Sequence, residues 1–143
     1  MLTHTHSGLR WIALILLIYA VINAFTRKNS GEFSKKDKML NLFAMVTLHV
    51  QLVLGLVLYF NSGKVNFGEG WMKQELYRFY GMEHLVGMLV AIVLVTVGYS
   101  KAKRHESAFR KHKTTFTFYA LGLLLLLAFI PWPFRTALGG NWF

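Results

Sequence analysis

Four long apolar segments constrain the fold of this chain more than any other feature. They cover residues 8–25, 39–60, 79–99 and 114–132, and their central parts contain no Asp, Lys or Arg. A helix needs about 20 apolar residues to cross the roughly 30 Å of hydrocarbon in a bilayer, so each segment is long enough. In a sequence of 143 residues, 55% of them hydrophobic, little chain is left for a separate soluble domain.

The same segments favour helices over the strands of a membrane barrel. Barrel strands alternate apolar and polar residues over about 10 positions, whereas the run LGLLLLLAFI at 121–130 does not alternate at all. We therefore predict an all-α fold, an antiparallel four-helix transmembrane bundle that forms a single domain over residues 1–143. The predicted helices cover about 6–26, 39–60, 78–100 and 113–132.

The longest connector, residues 61–77, mixes aromatic residues with charged ones. Such a mixture suits a short interfacial helix that leads into the third membrane helix. Pro131 and Pro133 are expected to end the fourth helix, because proline lacks the N–H that a helix interior needs. Trp132 then lies where aromatic residues are enriched at a membrane surface.

The net charge of +10 is concentrated in two short stretches, 27–38 and 101–113. These stretches hold eleven of the sixteen Lys and Arg residues, and two predicted helices separate them, so both face the same side of the membrane. Loops rich in Lys and Arg stay in the cytoplasm, which predicts a multi-pass protein of the bacterial cytoplasmic (inner) membrane with both termini outside. Contact with lipid headgroups explains the charge, so no nucleic-acid partner is expected. The sequence has no cysteine, which excludes disulfides, iron–sulfur clusters and thiolate chemistry.

Three of the six histidines are the main candidates for chemistry. At about 1.5 Å of rise per residue, His49 lies near the membrane midplane, His84 about 8 Å above it and His6 about 16 Å above it. An imidazole at such depth needs partners for a donor and an acceptor, which makes it a functional candidate by default. The remaining histidines are expected at the frayed N-terminus or solvated in the second basic stretch: His4, His105 and His112.

Of these three histidines, His84 is the only one close enough in depth to pair with either of the other two, His6 or His49. Two histidines from facing helices, with apolar walls and nearby cations, suit a b-type haem, and two axial imidazoles leave no ligand position open for a substrate. The alternative is structural, because small bundles also use interhelical hydrogen bonds from buried histidines. Partners for such bonds are a backbone carbonyl, Thr47, Thr96 or Gln51.

Charged residues near the outer face complete this candidate site. Arg10, Arg78 and Arg135 can pair with haem propionates, or can extend to lipid phosphates instead. Glu83 lies about 100° around the helix from His84. It can accept a hydrogen bond from a neighbouring histidine, pair with Arg78 or Arg10, or complete a His/His/carboxylate site for a transition metal such as Zn, Cu or Fe. A bare metal site is therefore the main chemical alternative to haem.

The face of the third predicted helix that carries His84 is lined by small or slender residues. Small residues allow close approach of either a neighbouring helix or a flat macrocycle, and helix packing is the commoner cause. Steps of three and four from His84 give Gly81, Gly87, Met88, Ala91, Val95 and Gly98.

Five segments support a family resemblance: HSGLRW (6–11), LHVQLVLGLVLYF (48–60), RFYGMEHLVGM (78–88), VGYSKAKR (97–104) and IPWPFR (130–135). Over residues 6–135 the chain resembles a family of short bacterial four-helix membrane proteins that commonly carry the label "cytochrome B". The resemblance implies a b-type haem protein of the cytoplasmic membrane. Di-haem cytochromes b tend to carry paired histidines on each of two helices, and no predicted membrane helix here carries two, so at most one haem is expected. The residues singled out are His6, His49, His84, Arg10, Arg78 and Glu83.

The leading functional hypothesis is an electron-transfer protein or subunit, rather than a stand-alone enzyme, with one haem b near the outer face. Quinone or a periplasmic redox protein is its expected partner. A second hypothesis is a cofactor-free accessory subunit, which contacts the lipid bilayer, other membrane subunits or a second copy of itself. A third is an outer-facing metal-binding membrane protein. No catalytic residue is predicted, since the sequence lacks a G-x-S-x-G motif and a glycine-rich phosphate loop.

Overall fold

The computed structural model describes residues 2–61, 68 and 70–130, and within these ranges it contains helices and connections but no strand. Each of the four long helices is long and apolar enough to cross a membrane. This confirms the predicted all-α architecture of four packed helices. The helices are α1 (Leu2–Arg27), α2 (Lys35–Asn61), the short α3 (Glu75–Arg78), α4 (His84–Arg104) and α5 (Ala108–Phe129).

The long helices extend further into the basic stretches than the sequence predicts. The connections at this basic end are only 28–34 and 105–107, because Lys and Arg are good helix formers that continue a helix beyond its apolar part. Serine side chains cap the two helices, α2 and α5, that begin within the basic stretches. Ser34 and Asp37 exchange hydrogen bonds in the manner of a capping box, and Ser107 Oγ accepts a bond from the N–H of Arg110 at 3.2 Å.

The predicted interfacial helix at 61–77 falls only partly within the described residues. A single 3₁₀ turn at Trp71–Lys73 is followed by α3, which has four residues. Pro131, Trp132, Pro133 and Arg135 lie outside the described residues.

The four long helices form a closed ring. α1 packs against α2 and α5, and α4 packs against α2 and most extensively against α5, so α1 and α4 are diagonal neighbours. Side chains on the outer surface are apolar as well. On α1, for example, Ile12, Ile15, Tyr19 and Ile22 are each more than half exposed. A helix that is apolar on all faces suits a lipid environment.

The stripe of small residues on α4 packs against α5. Gly87, Ala91, Val95 and Gly98 are all buried. The Phe129 ring lies directly over Gly87 and the Cβ of Phe118 lies against Gly98, each so close that an added Cβ would overlap it. From Gly87 to Gly98 this stripe therefore serves close helix packing, the commoner of its two predicted roles.

A buried polar network joins the end of α1 to the start of α2 at the basic end of the bundle. Asp37 is only 3% exposed. Its Oδ1 accepts a hydrogen bond from Asn23 Nδ2 at 2.8 Å and lies 2.9 Å from Arg27 Nε, while Oδ2 accepts a bond from the N–H of Ser34 at 2.8 Å. A buried carboxylate is stable only when it is paired and hydrogen-bonded in this way. The network therefore holds the start of α2 against the end of α1.

We expect Asp37→Ala to destabilise the bundle by about 1–3 kcal/mol, because Asn23 and the Ser34 N–H lose a buried acceptor. Loss of a fully buried ion-pair partner costs more, but the Arg27 side chain is 33% exposed and can be rehydrated. The midpoint of thermal or denaturant unfolding in detergent measures the effect. Glu32→Ala is the matched control, because Glu32 is 77% exposed and 3.9 Å from Arg27, and it should change stability by less than about 0.5 kcal/mol. Equal midpoints for the two variants would contradict this role of Asp37.

Candidate functional site

A π-helical segment, Phe79–Glu83, leads into α4 at the end of the bundle opposite the basic connections. In a π-helix the hydrogen bonds join residues five apart, and here the N–H of His84 donates to the carbonyl of Phe79. Residues five apart are therefore brought to the same side of the helix. This geometry creates two contacts, one between Arg78 and Glu83 and one between the rings of Phe79 and His84.

Glu83 forms an ion pair with Arg78. Arg78 Nε donates to Glu83 Oε1 at 2.8 Å, and Nη1 of the same arginine donates to the carbonyl of Met72 at 3.4 Å. Both side chains of the pair are about one third exposed. Of the predicted roles for Glu83, the structure places it in the pairing with Arg78.

The His84 ring is held between α4 and α5. Its Nδ1 lies 2.8 Å from the carbonyl oxygen of Phe129, and because a carbonyl only accepts, Nδ1 carries the proton. Nε2 is then the nitrogen with the lone pair. Most metal-ligating histidines are oriented by a hydrogen bond of this kind, which the ring nitrogen that does not bind the metal donates to a carbonyl or carboxylate. The Phe79 ring packs on the same imidazole, with the ring centroids 5.5 Å apart and Phe79 fully buried.

His6 and Arg10 approach His84 from α1, on the diagonal helix. Both interact electrostatically with His84, and Arg10 is only 9% exposed. The His6 Nδ1 is buried, and the ring interacts with the side chain of Gln51 without a hydrogen bond of standard geometry. Around His6, Gln51 Nε2 donates to its backbone carbonyl at 3.0 Å, and Gly55 leaves room for its ring. We call His6, Arg10 and His84 the outer group.

His49 lies outside the outer group. The hydroxyl of Thr96 donates to the carbonyl of Ile92 at 2.7 Å, so it accepts from His49 Nε2–H at 2.9 Å. Thr96 lies twelve positions after His84 on α4 (96 − 84), which is about 18 Å along the helix axis. This bond is the structural alternative that the sequence left open for His49.

Two histidines differ from their sequence predictions. His112, expected in a solvated position, is fully buried, since α5 begins at Ala108 and places it inside the helix. Its Nε2 donates to the carbonyl of Glu32 at 2.8 Å, and its ring packs against Phe33 with centroids 5.0 Å apart. His4 lies within α1 and is exposed, so this helix carries two histidines, contrary to the prediction that none would.

The bare-metal hypothesis has no support in the part of the chain that the structure describes. Within residues 2–61, 68 and 70–130, no group of three or more His, Asp or Glu side chains is close enough to hold an ion. His84 interacts electrostatically with His6 and Arg10, and the carboxylate of Glu83 is paired with Arg78.

No protein-family model, curated protein or solved structure matches the chain. The function is therefore argued from the side chains of the outer group and their surroundings.

Proposed function

We propose that this protein binds one b-type haem through His84 and His6 and transfers electrons within a membrane or at its surface. The observation that carries the proposal is the hydrogen bond from His84 Nδ1 to the Phe129 carbonyl, which orients the imidazole in the manner of a ligating histidine. His6, on the diagonal helix, has a buried ring nitrogen whose contact with the Gln51 side chain falls short of hydrogen-bond geometry. His84 and His6 would together hold the haem iron from facing helices.

The rest of the outer group fits the same cofactor. Arg10 places a buried cation beside both histidines, and a guanidinium pairs well with a carboxylate such as a haem propionate. Arg78 is held by Glu83, which fixes its position near the surface. Gly55 beside His6 and the buried Phe79 ring beside His84 supply space and an apolar wall.

Bound by these two histidines, the haem would supply reversible one-electron transfer. The protein's own contribution is to orient His84 through Phe129, to place the positive charge of Arg10 and to surround the site with apolar helices. We infer a place in the bacterial cytoplasmic membrane with the outer group toward the periplasm, because the basic end then faces the cytoplasm. Quinone or a periplasmic redox protein would be the electron partner.

An absorption spectrum tests this proposal directly. The full chain, produced with ample haem and purified in mild detergent, should show a Soret band and an α-band that appears on reduction. The haem content should be close to one per chain, since the described residues bring one pair of histidines together. A colourless preparation that is folded and monodisperse would reject the proposal.

A second candidate, a cofactor-free accessory subunit, is favoured by a different observation. His49 and His84 each form a hydrogen bond that joins two helices, and bonds of this kind stabilise membrane bundles without any cofactor. This function predicts colourless protein that purifies in a fixed ratio with other membrane subunits. The spectrum and the co-purified chains together separate the two candidates.

A further inference from the structure

A cavity of about 270 Å³ lies at the basic end of the bundle, between the start of α2, the end of α4 and the start of α5. One liquid water occupies about 30 Å³, so the cavity has room for a small polar ligand. It is distinct from the outer group, which lies at the opposite end. Its polar lining consists of Lys38, Asn41, Tyr99, Lys103, Lys111 and Thr115.

The lining is strongly cationic. Three of its residues are lysines, and none of the described residues that line it is acidic. Lys111 Nζ donates to the carbonyls of Ala102 and Lys103 at 3.3 and 3.2 Å, which fixes its ammonium group at the C-terminal end of α4. Asp37 is next to Lys38 in sequence, but its two oxygens are occupied by the network at the end of α1. The cavity therefore attracts an anion.

Asn41 gives a second and independent indication of a ligand. Its side chain is 3% exposed and lines the cavity, and its Oδ1 has no hydrogen-bond donor among the described residues. The backbone carbonyl of the same residue is satisfied, since it accepts from Tyr119 Oη at 2.8 Å. A buried amide oxygen without a donor is unfavourable. A ligand hydroxyl in the cavity would supply that donor.

We propose that this cavity binds a phosphate ester that carries a hydroxyl group, with the phosphate among the lysines and the hydroxyl donating to Asn41. An anionic phospholipid with a glycerol headgroup has this chemistry, and so does soluble glycerol phosphate. The lipid is favoured because two of the helices that line the cavity also expose apolar side chains, such as Phe43 on α2 and Val97 on α4, as helices in contact with a bilayer do. Basic pockets between membrane helices are known to hold anionic headgroups.

Native mass spectrometry of the full chain in mild detergent tests the phosphate contact. The wild type should retain phosphatidylglycerol and not phosphatidylcholine. Replacement of two cavity lysines, Lys38→Gln with Lys103→Gln, should weaken phosphatidylglycerol binding by about tenfold or more, from the usual contribution of a lysine to anionic lipid binding. The matched control, Lys36→Gln with Lys101→Gln, removes the same charge from the same two helices outside the cavity lining. Equal losses in both double variants, or equal retention of the two lipids by the wild type, would overturn the proposal.

The hydroxyl contact is tested with phosphatidylmethanol, which has the charge of phosphatidylglycerol but no headgroup hydroxyl. The wild type should prefer phosphatidylglycerol by about threefold to tenfold, the effect of one neutral hydrogen bond, and Asn41→Leu should abolish the preference. Competition by soluble glycerol phosphate at similar concentration would support the ester chemistry and assign it to a soluble ligand. If the wild type binds the two lipids equally, the Asn41 contact is wrong, and this comparison holds even if Asn41→Leu fails to fold.

Discussion

His84→Ala is expected to purify without the haem absorption proposed for the wild type. The His84 ring is held by its Nδ1 bond to the Phe129 carbonyl at 2.8 Å and by the Phe79 ring. When a metal-ligating histidine loses only the group that accepts a hydrogen bond from its other ring nitrogen, metal affinity falls about 10–100-fold. Loss of the whole histidine should therefore lower haem content at least as much. The ratio of Soret absorbance to protein absorbance, before and after reduction, measures this content.

His49→Ala is the control for a half-buried histidine that does not belong to the outer group. It removes the bond to Thr96, and interhelical bonds of this kind contribute about 0.6 kcal/mol on average, so the variant should fold and keep the absorption. His6→Ala should leave one axial ligand and change the spectrum from six-coordinate to five-coordinate haem. Added imidazole should restore part of the band in His84→Ala. Full absorption in His84→Ala, or its loss in His49→Ala instead, would contradict ligation by His84.

The architecture could be predicted because the thickness of a bilayer leaves a long apolar segment few alternatives. Four such segments of about 20 residues, joined by short connections, can only form helices that cross back and forth. The helix bounds could not be predicted equally well, since apolar character ends where the lipid ends and the helices continue through lysines and arginines. The solvated position predicted for His112 is wrong for this reason. The Ser107 cap is the one local signal that α5 starts early enough to include this histidine.

The depth of His49 relative to His84 differs from the sequence prediction. Counting from the centre of each apolar segment placed His49 about 8 Å from His84. The contact of His49 with Thr96 places it about 18 Å from the level of His84. The centres of two segments need not lie at the same depth, because side-chain packing decides how far one helix is shifted along the other.

The π segment could not be predicted from any residue pattern in the sequence. An ordinary α-helix would separate Arg78 and Glu83 by about 140° around the axis, at 3.6 residues per turn. The wider π turn brings them to 2.8 Å and stacks Phe79 on His84. Such segments often occur at functional sites. Here the π segment lies directly before the histidine that we propose as a haem ligand.

Close packing between α4 and α5 also positions the candidate site, because Phe129 both covers Gly87 and accepts the hydrogen bond from His84. A close contact in this interface that involves backbone is at Gly122. A Cβ built there would lie 2.7 Å from Val95 Cγ2 and 3.1 Å from the carbonyl oxygen of Ala91. Val95 is fully buried and branched at Cβ, so it has little freedom to rotate away. The added methyl group must therefore push the two helices apart.

We expect Gly122→Ala to destabilise the bundle by about 1–3 kcal/mol, the usual effect of overpacking a close contact. Gly8→Ala makes the same chemical change at a position with no atom within 4 Å of the new Cβ. It should leave the stability unchanged or raise it slightly, because alanine favours helix more than glycine does. Denaturant unfolding in mixed micelles, followed by circular dichroism, compares the two variants. If Gly122→Ala is as stable as Gly8→Ala, then α4 and α5 are not packed through their small residues. The bond from His84 to Phe129 would then lack the close interface that holds it in place.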